Sequence, residues 1–177
     1  ISPFSRRRFS TTPPVGARDD FEVVAESDGV RAPSGNRFRV VTFPNVMESG
    51  DNHTLGQATM AGMEPPFAFN GILAKSGEAD WSGFKATKKQ ALEIAVHARR
   101  LRSPVDSVLQ LCDANGKVID TNDDGAGPDS VLKFTPDESG TYYLRVTDQL
   151  GKGGPDFVYR VEVTTPVPRV TLSIPEI

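Results

Sequence analysis

Residues 107–134 read SVLQLCDANGKVIDTNDDGAGPDSVLKF, and the fold turns on whether this is a calcium loop between helices or a set of turns between strands. Asp120, Asn122 and Asp124, followed by Gly125, match the first half of a helix-loop-helix calcium loop, D-x-[DN]-x-[DN]-G. The second half does not follow. Counted from Asp120, the twelfth position, which needs a bidentate Glu, is Val131, and Pro128 stands where a helix would have to begin. "SVLQLC", "KVIDT" and "SVLKF" alternate or run apolar with β-branched residues, the pattern of strands. Asn115-Gly116 predicts a type I′ hairpin turn, in which both central residues take positive φ. The oxygen-rich stretch, with Asn122, Asp123, Asp124 and Asp129, then reads as a side-chain-bonded turn between two strands.

The same grammar extends in both directions. "FEVVAE", "FRVVTF", "GILAK", "GFKA", "ALEIAVHA", "TYYLRVTD" and "FVYRVEV" are short strand-like runs separated by Gly, Pro and Asp, and no run of comparable length carries a helical stripe. In "TYYLRVTD", Tyr142, Leu144 and Val146 fall on one face and Tyr143, Arg145 and Thr147 on the other, so one face is buried and the other wet. The expectation is an all-β chain: an antiparallel, jelly-roll-like β-sandwich with a partial β-domain before it. Residues 1–46 read as the C-terminal part of an upstream β-domain, too poor in strands to stand alone. Residues 47–69 read as a polar connector, 70–165 as the sandwich and 166–177 as a Pro-spaced linker to a following domain.

Composition narrows the function classes. The 177 residues are 37% hydrophobic and 24% charged with net charge −3, which lacks the basic excess of a nucleic-acid binder. No apolar run reaches the length of a bilayer span, and membrane insertion is not expected. The first residues, "ISPFSRRRFSTTPP", have neither an initiating Met nor an apolar signal core, so the chain reads as a piece of something longer. The single cysteine, Cys112, sits in a strand and reads as a small buried hydrophobe.

Catalytic signatures are sparse. Of the two histidines, His97 alternates with Leu92, Ile94 and Val96 and is placed on the wet face of its strand; His53 lies in the connector. Nucleophile elbows, paired metal histidines and phosphate loops do not occur, and carboxylates are abundant but cannot be paired from sequence. "ARRLRS", 98–103, reads as a strand-end turn whose arginines pair with nearby aspartates, and Trp81 reads as core. The expectation is a non-catalytic module.

From Asn70 to Val163 the order of elements resembles the bacterial pre-peptidase C-terminal domain, a family that includes the collagen-binding domains of secreted collagenases. The residues that carry the resemblance are "NGILAKSGEADWSGFKA", "SPVDSVLQLCDANGKVIDTNDDGAGPDSVLKF" and "DESGTYYLRVTDQLGKGGPDFVYRVEV". The upstream piece resembles the tail of an immunoglobulin-like domain.

The resemblance implies an extracellular, periplasmic or cell-surface module of a larger bacterial protein, a spacer or adhesion element whose partners are the neighbouring domains of the same polypeptide. A polysaccharide- or collagen-binding module is the alternative, with Tyr143 as its candidate contact, and an accessory domain of a secreted hydrolase is a further one. The resemblance also implies a calcium site in which an acidic connector folds back beside the strand bearing "D-x-D-Y/W". Glu48, Asn52, Glu78 and Asp80 match its ligands, while Gly50, Asp51 and His53 stand where the pattern has Glu, Pro and an acid. With carboxylates missing, calcium is expected to bind weakly, or Glu48 and Glu78 are ordinary surface acids.

Overall fold

A computed structural model describes residues 19–124 and 127–166, so the expected linker at 166–177 lies almost wholly outside the described residues, as do residues 1–18. The chain divides into two compact units, residues 1–42 and 43–177.

Within the described part of the first unit, β1 (Asp19–Val23) pairs antiparallel with β4 (Asn36–Val40), and between them β2 (Glu26–Ser27) pairs with β3 (Val30–Arg31). Asp28 and Gly29 both take positive φ, 52° and 77°, as a two-residue turn that follows the strand twist requires. Phe21 stacks on Phe38 at 5.3 Å between ring centres, one face of a two-stranded ribbon.

The second unit is a β-sandwich. Its strands are β5 (Asn45–Met47), β6 (Thr59–Met60), β7 (Phe67–Ile72), β8 (Ala79–Ala86), β9 (Leu92–His97), β10 (Ser107–Cys112), β11 (Val118–Asn122), β12 (Val131–Phe134), β13 (Gly140–Asp148) and β14 (Val158–Thr164). One sheet has the order β11-β10-β13-β8-β6 and the other β12-β9-β14-β7-β5. All pairings are antiparallel except at one edge of each sheet, where β5 runs parallel to β7 and β6 parallel to β8. Residues 45–60 therefore supply an edge strand to one sheet and run across to complete the edge of the other, and the expected connector overlaps both edge strands and the start of β7.

Period-2 alternation builds the core. Leu92, Ile94 and Val96 of β9, Leu109 and Leu111 of β10, Leu144 and Val146 of β13, and Val161 and Val163 of β14 are buried and share one cluster with Phe67, Phe69 and Phe84. Each such side chain removed from water contributes about 1.5–3 kcal/mol, which is why these strands hold their register. Cys112 is fully buried at the end of β10.

Three local expectations need correction. The β10–β11 hairpin forms, but Asn115 does not take a positive φ; only Gly116 does, at 81°. Gly116 N donates to Asp113 O at 3.0 Å, and Asp113 Oδ1 accepts from both Asn115 N and Lys117 N. That side chain holds a tighter turn followed by a glycine bulge, and the register slips between Leu111 and Cys112. His97 is not wet: it is 6% exposed, with Nε2 at 3.4 Å from Glu162 Oε2 on the neighbouring strand. Trp81 is not core: it lies half-buried on β8, pointing away from Asp80, Ser82 and Phe84, with the Arg145 guanidinium 6.0 Å from its ring centre.

Tyr142 packs inward against Phe134 at 4.9 Å and Phe84 at 6.3 Å between ring centres, and its hydroxyl donates to Glu138 O at 2.7 Å. Replacing it by Ala should destabilise the sandwich by about 2 to 3 kcal/mol, less than a wholly buried ring would, because its rim reaches solvent. Tyr143→Ala, on the opposite face, should cost about 1 kcal/mol or less. Urea melts of the two variants check the order.

Candidate metal centre

Inward alternation on β8 puts Asp80, rather than an apolar residue, inside the sandwich, where it is 1% exposed. A carboxylate there must find donors. Tyr159, inward on β14 of the opposite sheet, gives one: its hydroxyl donates to Asp80 Oδ2 at 2.8 Å, spanning the space between the sheets. Gly71, the register partner of Tyr159 on β7, makes room, since a Cβ there would collide with the Tyr159 hydroxyl and the Glu48 carboxylate.

The segment crossing between the sheets supplies the remaining groups. It leaves β5 with Glu48 N donating to Asn70 O at 3.0 Å and reaches β6, with Ser49 N held by Thr59 Oγ1 at 3.0 Å. Midway, Trp81 N donates to Asn52 O at 2.7 Å, which pins the segment to β8 beside Asp80. Glu48 Oε1 accepts from Ile72 N at 3.1 Å, and its carboxyl lies beside that of Asp80. Glu78, just before β8, has Oε2 fixed by Lys75 N at 2.6 Å. His53 Nδ1 lies 3.3 Å from Glu78 Oε1 and 3.3 Å from Asp80 Oδ1.

The structure thus brings Glu48, Asn52, Glu78 and Asp80 into one cluster. Neither Glu78 nor Asp80 is a surface acid, their side chains being 7% and 0% exposed. His53, Tyr159 and Gly71 join them without having been singled out as site residues. His53 and Gly71 belong to the quoted connector and strand signals, but nothing local marks Tyr159, which is 79 positions from Asp80.

The electrostatics of the cluster are unbalanced. Desolvation, and then the nearby Asp80 and Glu78 charges, raise the Glu48 pKa from its ordinary 4.5 to about 7 although Ile72 N opposes the shift. Burial and the Glu78 charge raise Asp80 against the Tyr159 and His53 contacts. Burial and Asp80 push the Tyr159 hydroxyl well above its ordinary value. Asn52 is wholly buried, its side chain beside that hydroxyl, and neither Oδ1 nor Nδ2 has a hydrogen-bonding partner. Crowded carboxylates with an unpartnered amide oxygen fit a cation, and His53, Glu78 and Asp80 each offer a ligand atom within 4.8 Å of the others.

The other predicted residues lie apart. Asn122 Oδ1 accepts from Val131 N at 2.8 Å, tying the loop to β12, and Asp123 Oδ1 accepts from Asp124 N at 3.0 Å. Asp124 lies exposed at the margin of the described loop. Asp129 is fully buried and accepts from Arg99 N, Arg100 N and Arg100 Nε at 2.7, 3.3 and 2.7 Å, closing the 3-10 turn Arg99–Leu101. Tyr143 is half-buried on β13, and its ring and Met60 occupy the space above Gly83.

A family profile matches residues 78–148, that of the bacterial pre-peptidase C-terminal domain. The match spans β8 to β13 of the sandwich. Glu78 and Asp80 open the matched span of that domain, whereas Glu48, Asn52 and His53 precede it and Tyr159 follows it. A probable subtilase-type serine protease of Deinococcus radiodurans is 38% identical over 77 residues, 43% of this chain and 11% of that protein. The crystal structure of the pre-peptidase C-terminal domain of collagenase from Bacillus anthracis superposes with a TM-score of 0.47 at 17% identity, covering 60% of this chain and 94% of that domain.

Glu48 sets a pH dependence. A carboxyl whose pKa is higher folded than unfolded holds its proton longer in the folded state, so stability falls as pH rises from about 4.5 to about 7 and levels off above. Chelator-treated protein should show that fall in urea melts, and Glu48→Gln should flatten it. Asp129→Ala should cost about 3 kcal/mol or more, since it leaves Arg100 and two N–H groups without their acceptor.

Proposed function

We propose that this chain is part of a larger exported bacterial protein, in which the sandwich is a non-catalytic module that sets the placement of neighbouring domains. The observation that carries this reading is the engagement of the cluster's own oxygens. Tyr159 hydroxyl, Ile72 N and Lys75 N each hold a carboxylate oxygen, and the Trp81 N to Asn52 O bond fastens the preceding segment at the same point. Such an arrangement locks a chain entering the domain to the domain itself.

The Deinococcus protein supports an accessory role, because the matched stretch is a small fraction of a protein described as a protease. The ribbon of residues 19–40 fits the tail of an upstream immunoglobulin-like domain, and its two-stranded form fits a piece whose partner strands lie elsewhere. No helix of the described residues is long and apolar enough to cross a membrane. A divalent cation in the cluster would offset the repulsion among Glu48, Glu78 and Asp80 and tighten the junction. For calcium, the ion implied by the resemblance, the stabilisation at millimolar concentration should be about 1 kcal/mol or less, given Gly50 and His53 in the pattern's acidic positions.

The experiment is an assay of the 177-residue chain against peptide and polysaccharide substrates, paired with fractionation of the parent organism using antiserum to the sandwich. Expected are no turnover above background and antigen outside the cytoplasm. Robust turnover lost on a single substitution, or antigen confined to the cytoplasm, would overturn the reading.

A further inference from the structure

The ligands that the resemblance carries over are oxygen donors, but the group facing Glu78 and Asp80 is a nitrogen. His53 Nδ1 stands 3.3 Å from each of two carboxylate oxygens, Glu78 Oε1 and Asp80 Oδ1. Both contacts are longer than the roughly 2.7–2.9 Å of a well-formed charge-assisted N–H···O bond, although His53 Nδ1 is within hydrogen-bonding range of Asp80 Oδ1. Donors on a tetrahedral ion with bonds of about 2.0–2.1 Å sit about 3.3 Å apart, and both separations match that edge. The second oxygen of each carboxylate is already held, Asp80 Oδ2 by the Tyr159 hydroxyl and Glu78 Oε2 by Lys75 N. Outer donors of this kind orient metal-binding carboxylates and leave one oxygen free for the ion. An independent sign comes from Asn52, wholly buried beside the Tyr159 hydroxyl with both amide atoms unpartnered.

We propose that His53 Nδ1, Glu78 Oε1 and Asp80 Oδ1 bind a zinc-class divalent ion in preference to calcium, an inference that rests on reading the cluster as a cation site. Imidazole suits zinc and its first-row neighbours, whereas calcium collects six to eight oxygens and gains little from a ring nitrogen. The Glu48 carboxylate, which interacts with both Asp80 and Glu78, is a further donor beside them. Two carboxylates neutralise the ion's charge, so zinc removes the like-charge conflict that the metal-free cluster carries. The His53 side chain is 41% exposed, which gives the ion a path from solvent. Competing sites are few: the chain has two histidines and one cysteine, and His97 and Cys112 are buried.

The test is isothermal titration of the metal-stripped 177-residue chain with zinc and with calcium, alongside thermal melts with each ion and with chelator. Expected are one zinc per chain with a Kd about 100-fold or more below that for calcium, and a rise in Tm with zinc. His53→Ala and His53→Gln should lose zinc affinity by about 100-fold without losing the fold, since the side chain is partly exposed, and His53→Asp should shift preference toward calcium. Zinc binding that survives His53→Ala would overturn the proposal. Calcium binding as tight as zinc, abolished by Glu78→Gln or Asp80→Asn, would overturn the ion preference while leaving a cation site; no one-to-one binding of either ion would overturn both.

Discussion

The Tyr159 hydroxyl donating to Asp80 Oδ2 at 2.8 Å joins the two sheets from within, and much of the sandwich's asymmetry follows from it. A carboxylate at an inward strand position is costly unless its lone pairs are met, and an inter-sheet gap about 10 Å wide gives it few reachable donors. Tyr159 has the length to reach from the facing sheet. Its ring then needs space that a side chain on β7 would fill, hence glycine at position 71. At this end, apolar packing gives way to a polar junction, while Leu109, Leu111, Leu144, Val161 and Val163 carry the stability elsewhere.

The crossing segment depends on that junction. Parallel pairing of β5 with β7 and of β6 with β8 requires the chain to change sheets between Met47 and Thr59, and its route lies beside Asp80. Crossing there delivers Glu48, Asn52 and His53 to one point from a single short stretch. Two edge strands that each pair on one side only are weakly held by their own bonds; anchoring the loop between them secures both at once.

The parts of this arrangement differ in how far sequence could reveal them. Strands with strict alternation, such as "TYYLRVTD", announce both their existence and their inward face, because burial acts on every second residue. The β10–β11 turn announces its position but not its type: Asp113 takes two N–H groups and overrides the Asn-Gly preference. His97 keeps the alternation of its strand and is buried all the same, because a sheet's outer face can be covered by long neighbours, here Glu162. Trp81 lies on such an outer face beside Arg145, and its residue type alone suggests core. Glu48, Asn52, Glu78 and Asp80 came from family resemblance, not from spacing. Tyr159 and Gly71 carry no local signature, since their roles exist only once distant strands are paired.

Buried acids elsewhere in the sandwich show why the cluster reads differently. Asp129 meets two backbone N–H groups and a guanidinium, and Asp148 meets Asp106 N, Leu150 N and Lys152 N at 2.8, 3.1 and 2.9 Å. Each fixes a loop with several donors gathered on its carboxylate, which is what a structural acid requires. Around Asp80 the same backbone strategy is used for only one oxygen of Glu48 and one of Glu78, and a tyrosine serves Asp80. One oxygen each of Glu78 and Asp80 faces His53, and the Asn52 amide group is buried nearby without hydrogen-bond partners. A fold that satisfies Asp129 and Asp148 with its own donors leaves this group with like charges in conflict, and a divalent ion at the imidazole is the addition that would relieve it.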